Sequence, residues 1–170
     1  MVNGFSEKVD FIWSIADLLR GDYKQSEYQK VILPLTVLRR LDCVTEPTKD
    51  EVLERAEELE DQGIENVGPM LKQASGQNVY NTSEYTFESL CDDPDQIANN
   101  LKYYINSFDE DTKEILDKFD FGHQVERLNE AELLYKIVRQ FAEIDLHPDE
   151  VPNEEMGYIY EELIRKFSEL

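Results

Sequence analysis

The chain has 170 residues, of which 38 are acidic and 17 are Lys or Arg, so its formal net charge is −21. A hydrophobic content of 41% with 11% aromatic residues excludes general disorder, and the lack of an apolar run of about 18 residues excludes a membrane-spanning helix. The N-terminus has no basic and apolar leader, and Cys43 and Cys91 are far apart in the sequence. We therefore expect a reduced, cytoplasmic protein without a membrane partner.

Two helices are predicted in the first quarter of the chain. Apolar residues at three- and four-residue spacing predict a helix over residues 5–19, with Trp13 on its buried stripe. A second helix is predicted over residues 26–43, where apolar residues on most sides indicate a central position. Pro34 lies inside this pattern and is expected to kink or divide the helix, because it lacks a backbone N–H and its ring clashes with the preceding turn.

The rest of the chain is also predicted to be mostly helical. Thr48 begins a third helix whose exposed faces are strongly acidic. Residues 75–85 show little helical period and are predicted to form an ordered loop, which leaves room for one short extended pair near residues 79–86. Later helices are predicted to begin at five positions: Thr86, Asp95, Asp109, Asn129 and Pro152.

The fold class that follows from these elements is all-α, an irregular helical bundle. No internal repeat interrupts it. We divide it into a helical N-terminal domain over residues 1–150 and a C-terminal helix over residues 151–170.

The sequence contains no catalytic constellation. His123 and His147 are its two histidines, and neither has the spacing of a metal ligand. Cys91 precedes two aspartates, which disfavour a thiolate. No two glycines lie two positions apart, which excludes a glycine-rich phosphate loop. We therefore expect no catalytic, cofactor-binding or metal-binding residue in this chain.

The charge is unevenly distributed along the chain. Residues 1–40 hold six bases and five acids, whereas the remaining 130 residues hold 11 bases and 33 acids. Such an acidic molecule repels nucleic acid at long range, so a DNA contact needs a local basic patch. The one basic stretch supplies five candidate residues for contact with DNA or a DNA-bound partner: Arg20, Lys24, Lys30, Arg39 and Arg40.

An ordinary solvated face is the alternative interpretation of this stretch. Helical spacing sets Arg39 and Arg40 about 100° apart. Both therefore cannot face the same way, and we expect one of them to pair with an acid inside the domain.

Six segments together carry a resemblance to a known family. They are residues 11–21 (FIWSIADLLRG), 23–28 (YKQSEY), 31–42 (VILPLTVLRRLD), 80–83 (YNTS), 144–148 (IDLHP) and 156–165 (MGYIYEELIR). Over essentially the whole chain, the sequence closely resembles the N-terminal domain of the modification (methyltransferase) subunit of bacterial type I restriction–modification systems.

The resemblance implies a function and a set of partners. In the family, this helical domain precedes a Rossmann-like domain that binds S-adenosylmethionine and methylates adenine N6 on a flipped base with an Asn-Pro-Pro-aromatic motif. The domain helps the complex to engage DNA and to assemble with the specificity subunit, a second modification subunit and the restriction subunit. S-adenosylmethionine is thus expected as the cofactor of the full-length protein.

This sequence departs from the full family pattern in its catalytic motif. Its six prolines are never adjacent, so Asn-Pro-Pro does not occur. The parent protein is expected to be an adenine-specific DNA methyltransferase, while this chain resembles an excised or truncated domain that is inactive alone.

Two other functions compete with a DNA-engaging domain. One is a purely structural helical module that holds subunits together. The other is an acidic DNA mimic that inhibits DNA-binding proteins, which the net charge of −21 would suit. A mimic binds a DNA-processing enzyme and never DNA, so the DNA affinity of the assembled complex separates these functions.

Isothermal titration calorimetry of this chain with S-adenosylmethionine should show no heat of binding. The reason is that its sequence has neither a glycine-rich cofactor loop nor an Asn-Pro-Pro motif. An intact type I modification enzyme in the same buffer is the positive control. Binding of the cofactor to this chain at micromolar affinity would contradict the prediction.

Overall fold

A computed structural model describes residues 4–170. Within this range the chain forms α-helices, short 3₁₀ turns and loops, and no β-strand. The helices are α1 (Phe5–Trp13), α2 (Ile15–Leu19), α3 (Gln29–Thr45), α4 (Lys49–Asp61), α5 (Gly68–Ser75), α6 (Phe87–Leu90), α7 (Ile97–Asn106), α8 (Glu110–Asp117), α9 (Phe121–Glu130), α10 (Leu134–Ala142) and α11 (Asn153–Ser168). The all-α prediction is confirmed.

Helix α3 is the centre of the bundle. It packs against α1, α9, α10 and α11, and its buried residues lie on most of its sides. Pro34 does not divide it, since one helix runs from residue 29 to residue 45. The cost of proline inside a helix is about 3 kcal/mol, and the burial of residues such as Val31, Ile32 and Leu35 outweighs it.

The predicted first helix is instead two helices, α1 and α2, which meet at Ser14. The Ser14 hydroxyl donates to the Phe11 carbonyl and accepts from the Gln140 side-chain amide at 2.6 Å. Trp13, predicted to be mostly buried, is only partly buried. Its ring lies at the edge of the core, 5.1 Å from the ring of Phe167 on α11.

The loop around residues 79–86 does not form the extended pair that the sequence allowed. Asn81 makes an isolated antiparallel bridge with Phe108 instead. The Thr82 N–H donates to the Ser107 carbonyl at 2.9 Å, and the Asp109 N–H donates to the Tyr80 carbonyl at 3.1 Å. Backbone groups of this loop therefore find their hydrogen-bond partners in the residues that follow α7. These bonds hold the loop in place without a β-strand.

The apolar residues form a main core and a small second cluster. The second cluster joins α4, α5 and the following loop through Val52, Leu59, Leu71 and Tyr80. Helix α11 belongs to the main core and packs on α1 and α3. Among residues 4–170, no helix has both the length and the apolar character needed to cross a membrane.

The fluorescence of Trp13, the one tryptophan, reports the contact between α1 and α11. Phe167→Ala should move the emission maximum to longer wavelength, because it uncovers one face of the indole ring. Ile164→Ala, which changes an exposed residue of the same helix, should leave the maximum in place. An unchanged maximum in Phe167→Ala would show that this contact does not cover Trp13.

Candidate nucleic-acid and partner interface

Arg39, one of the five predicted contact residues, lies inside the domain against the end of α10. Its guanidinium donates to the carbonyls of Ala142 (3.1 Å) and Ile144 (2.8 Å) and to the carboxylate of Asp42 (2.8 Å). Carbonyls at a helix C-terminus lack intrahelical partners and carry the negative end of the helix dipole. Arg39 therefore caps α10, and its side chain is 10% exposed.

Arg40 is held inside in the same way, against the loop between α10 and α11. Its guanidinium donates to the carbonyls of Leu146 and Val151, both at 2.6 Å, and to the side-chain carbonyl of Asn153 at 2.8 Å. Burial lowers the pKa of Arg40. The expected internal pair with an acid is that of Arg39 with Asp42. The expectation that the two arginines face different ways is wrong, because Arg40 is also buried and its guanidinium is used by internal carbonyl oxygens.

Asp42 joins this interior to two other helices, α6 and α7. Its carboxylate is fully buried and accepts from Arg39, from the Phe87 N–H (3.2 Å) and from the Tyr104 hydroxyl (3.0 Å). Burial raises the pKa of Asp42, and the charge of Arg39 acts against that rise. This residue was not predicted from the sequence, although an aspartate within an apolar helix was a usable signal for a buried partner.

Lys49 anchors the loop that contains the YNTS segment. Its ammonium donates to the Ser83 carbonyl at 2.7 Å and lies within 3.5 Å of the Asn81 side-chain oxygen. It also lies 5.8 Å from the centre of the Tyr104 ring. Burial lowers the pKa of Lys49 to about 8. The segment thus carries a structural role in holding a buried cation.

The other three predicted contact residues lie on the surface. Arg20 is exposed and forms an ion pair with Asp17 at 2.9 Å. Lys24 and Lys30 are exposed, and neither forms an ion pair within the described residues. The contact hypothesis for the basic stretch therefore stands on these three residues, and mainly on the two lysines.

The nearby acid Glu27 forms its ion pair with Arg127 rather than with either lysine. Glu27 accepts from the Arg127 guanidinium at 2.8 Å, and this hydrogen bond lowers the pKa of Glu27 to about 2. The Arg127 guanidinium also stacks 3.8 Å from the centre of the Tyr23 ring. Glu27 and Arg127 thus satisfy each other, and α9 is fixed to the 3₁₀ turn Gln25–Glu27.

A groove lies between this 3₁₀ turn and the end of α11. Its lining comprises Gln25, Ser26, Gln29, Ile164, Phe167, Ser168 and Leu170. Ile164 is 53% exposed and Leu170 is 50% exposed. In sequence, Lys24 and Lys30 bracket the polar wall of the groove. We call this groove with its two lysines the basic–apolar surface.

Two further exposed cations lie on α10 and were missed from the sequence. Lys136 and Arg139 line a shallow pocket with Leu18 and Tyr135, and neither is ion-paired in the described part of the chain. Their i, i+3 spacing on a helix was the available signal. They do not belong to the basic–apolar surface.

The structure offers little for covalent or metal chemistry. Cys43 and Cys91 are free thiols, and burial raises the pKa of Cys43 to about 11, which suppresses its thiolate. Among residues 4–170, no group of three or more histidine, cysteine, aspartate or glutamate side chains is arranged to hold a metal ion.

These features define an all-α helical domain with a structural polar interior. The family model of the HsdM N-terminal domain matches residues 9–141. The chain therefore belongs to this family, the N-terminal domain of the modification subunit of type I restriction–modification systems. None of the curated proteins compared with the chain matches it.

Asp42→Ala should lower the free energy of unfolding by about 3–5 kcal/mol, because it leaves the Arg39 charge buried without its acid. Asp17→Ala removes the acid from an exposed pair of the same i, i+3 spacing. It should cost less than about 1 kcal/mol. Urea unfolding followed by circular dichroism measures both changes, and equal losses would refute a stabilising role for the Asp42 centre.

Proposed function

We propose that this domain helps a type I modification subunit to engage DNA and to assemble with the specificity subunit. It would serve S-adenosylmethionine-dependent methylation of adenine N6 without contributing a catalytic group. Family membership supports the modification-subunit context. The proposal for DNA and for particular partners rests on the surface chemistry of the chain.

The basic–apolar surface is the observation that carries this proposal. Lys24 and Lys30 offer unpaired ammonium groups of the kind that contact phosphates without reading sequence. In the groove whose polar residues these lysines flank in sequence, Ile164 and Leu170 expose apolar side chains of the kind that become buried in subunit interfaces. One surface thus combines the features expected where a domain contacts both a DNA backbone and a protein partner.

The net charge determines when such a DNA contact can form. At −21, the isolated domain is expected to bind DNA weakly or not at all. Within an assembled complex, other subunits would bring the DNA close. Since exposed charges more than about 10 Å apart are largely screened at 0.1 M salt, the two lysines then act locally.

One observation favours the alternative function, a structural module that holds subunits together. The inward orientation of Arg39 and Arg40 removes two cations from the predicted DNA contact, whereas the exposed side chains of α11 remain available for a second modification subunit, the specificity subunit or the restriction subunit. A DNA mimic gains no such support, because mimicry has no use for the exposed Lys24 and Lys30.

Lys24→Glu combined with Lys30→Glu, placed in the assembled complex, should lower the affinity for all DNA sequences alike. The slope of log affinity against log salt should become less negative by up to about two, because each phosphate that a lysine no longer neutralises removes about 0.9 from its magnitude. Lys113→Glu combined with Lys118→Glu makes the same charge change on and just after α8 and should leave the slope unchanged.

Size-exclusion chromatography of the same complexes separates DNA engagement from assembly. Ile164→Asp should weaken assembly, because it places a charge on the apolar wall of the groove. An unchanged salt slope in the double-lysine variant, together with intact assembly, would remove the lysines from the DNA interface. The structural module would then be favoured if Ile164→Asp still dissociates the subunits.

A further inference from the structure

A second concave site lies between α3, α7 and the turn that joins α8 to α9, and it shares no lining residue with the groove. It is a cavity of about 210 Å³. Its apolar lining consists of Pro34, Leu38, Ile105, Leu116, Phe119 and Phe121. Nothing in the proposed DNA contact uses this cavity.

Local backbone geometry explains why the cavity exists. Pro34 and Leu38 are one helical turn apart, so they lie on the same face of α3. Between α8 and α9, Asp120 adopts a left-handed conformation with φ of 51°, which turns the chain sharply and separates Phe119 from Phe121. Phe121 is buried, whereas Phe119 remains 37% exposed at the cavity.

The rim of the cavity carries two exposed carboxylates. Asp117 and Asp120 line it and are exposed, and neither has an ion pair among residues 4–170. Lys102 also lines the cavity, but its ammonium is paired with Glu126. Lys118 lies in the same turn and does not line the cavity.

The size of the cavity restricts what fits it. Sites for drug-sized ligands and cofactors occupy about 300–1,000 Å³, whereas an apolar cavity of about 150 Å³ holds a single benzene molecule. A volume of about 210 Å³ therefore matches one aromatic or branched aliphatic side chain. The acidic rim repels phosphate and attracts cations next to that side chain.

We infer that this cavity is a docking site for a partner polypeptide segment. One aromatic or branched aliphatic side chain of the segment enters between Leu38, Leu116 and Phe119, and flanking lysines or arginines lie against Asp117 and Asp120. Ile115, which is 56% exposed one turn before Phe119, extends the apolar contact beyond the mouth. Such an anchor residue with a charged surround is a common mode of peptide recognition.

The test uses the ¹⁵N-labelled chain and an acetylated, amidated pentapeptide, Lys-Arg-Phe-Lys-Arg, as the probe. At 0.1 M salt, the peptide should shift the amide signals of residues 102–106 and 116–122. The same peptide with alanine in place of phenylalanine should lose this binding, because the cavity is then left unfilled. Asn106→Phe, at the exposed rim, should block the intact peptide.

Asp117→Asn combined with Asp120→Asn should weaken peptide binding by about threefold to tenfold, the range expected when two exposed charge pairs are removed. Asparagine tolerates a positive φ, so this variant preserves the turn. Glu57→Gln combined with Glu60→Gln makes the same charge change at exposed positions of α4 and should not weaken binding.

Five results would overturn the proposal. Equal losses of peptide affinity in the two double variants would show that the peptide is attracted by net charge alone. Changes in amide signals only outside residues 102–106 and 116–122 would exclude the cavity as the binding site. If benzyl alcohol bound as tightly as the peptide, or a DNA duplex shifted the same signals, the occupant would not be a cationic segment. Self-association through the same residues in sedimentation experiments would identify a second copy as the occupant.

Discussion

The burial of two adjacent guanidinium groups constrains the architecture of this domain. A buried cation needs oxygen partners, because its desolvation is otherwise prohibitive. Arg39 and Arg40 obtain most of theirs from carbonyls between residues 142 and 151. The chain must therefore leave its helical hydrogen-bonding pattern there, which ends α10 and sets the direction in which α11 begins.

Sequence periodicity predicted the helices and the central position of α3, because those depend on neighbours three or four residues away. It did not predict the break at Ser14, whose hydroxyl accepts a hydrogen bond from Gln140, 126 positions later in the chain. The sequence correctly predicted a loop near residue 80. The predicted pairing within that loop was wrong, because its backbone bonds to the residues that follow α7. Local patterns carry no information about such distant partners.

The residues of the candidate interface were also only partly predictable from the sequence. Counting charges identified the basic stretch, yet composition cannot separate an exposed lysine from an arginine that caps a distant helix. Two of the five predicted residues are internal, and Arg20 is already paired with Asp17. Of the five residues, Lys24 and Lys30 are the two that the sequence predicted for contact and the structure shows exposed and without an ion pair among residues 4–170. The apolar half of that surface comes from α11, more than 130 residues further along the chain.

The hydrogen bonds of Arg40 also couple the position of α11 to that of α3. This one side chain holds the loop before α11 at Val151 and the first residue of α11, Asn153, while its own backbone is part of α3. A tilt of α11 must therefore either stretch these bonds or rotate α3. The start of α11 is thus tied, through one side chain, to the helix at the centre of the bundle, whose first turn carries Lys30.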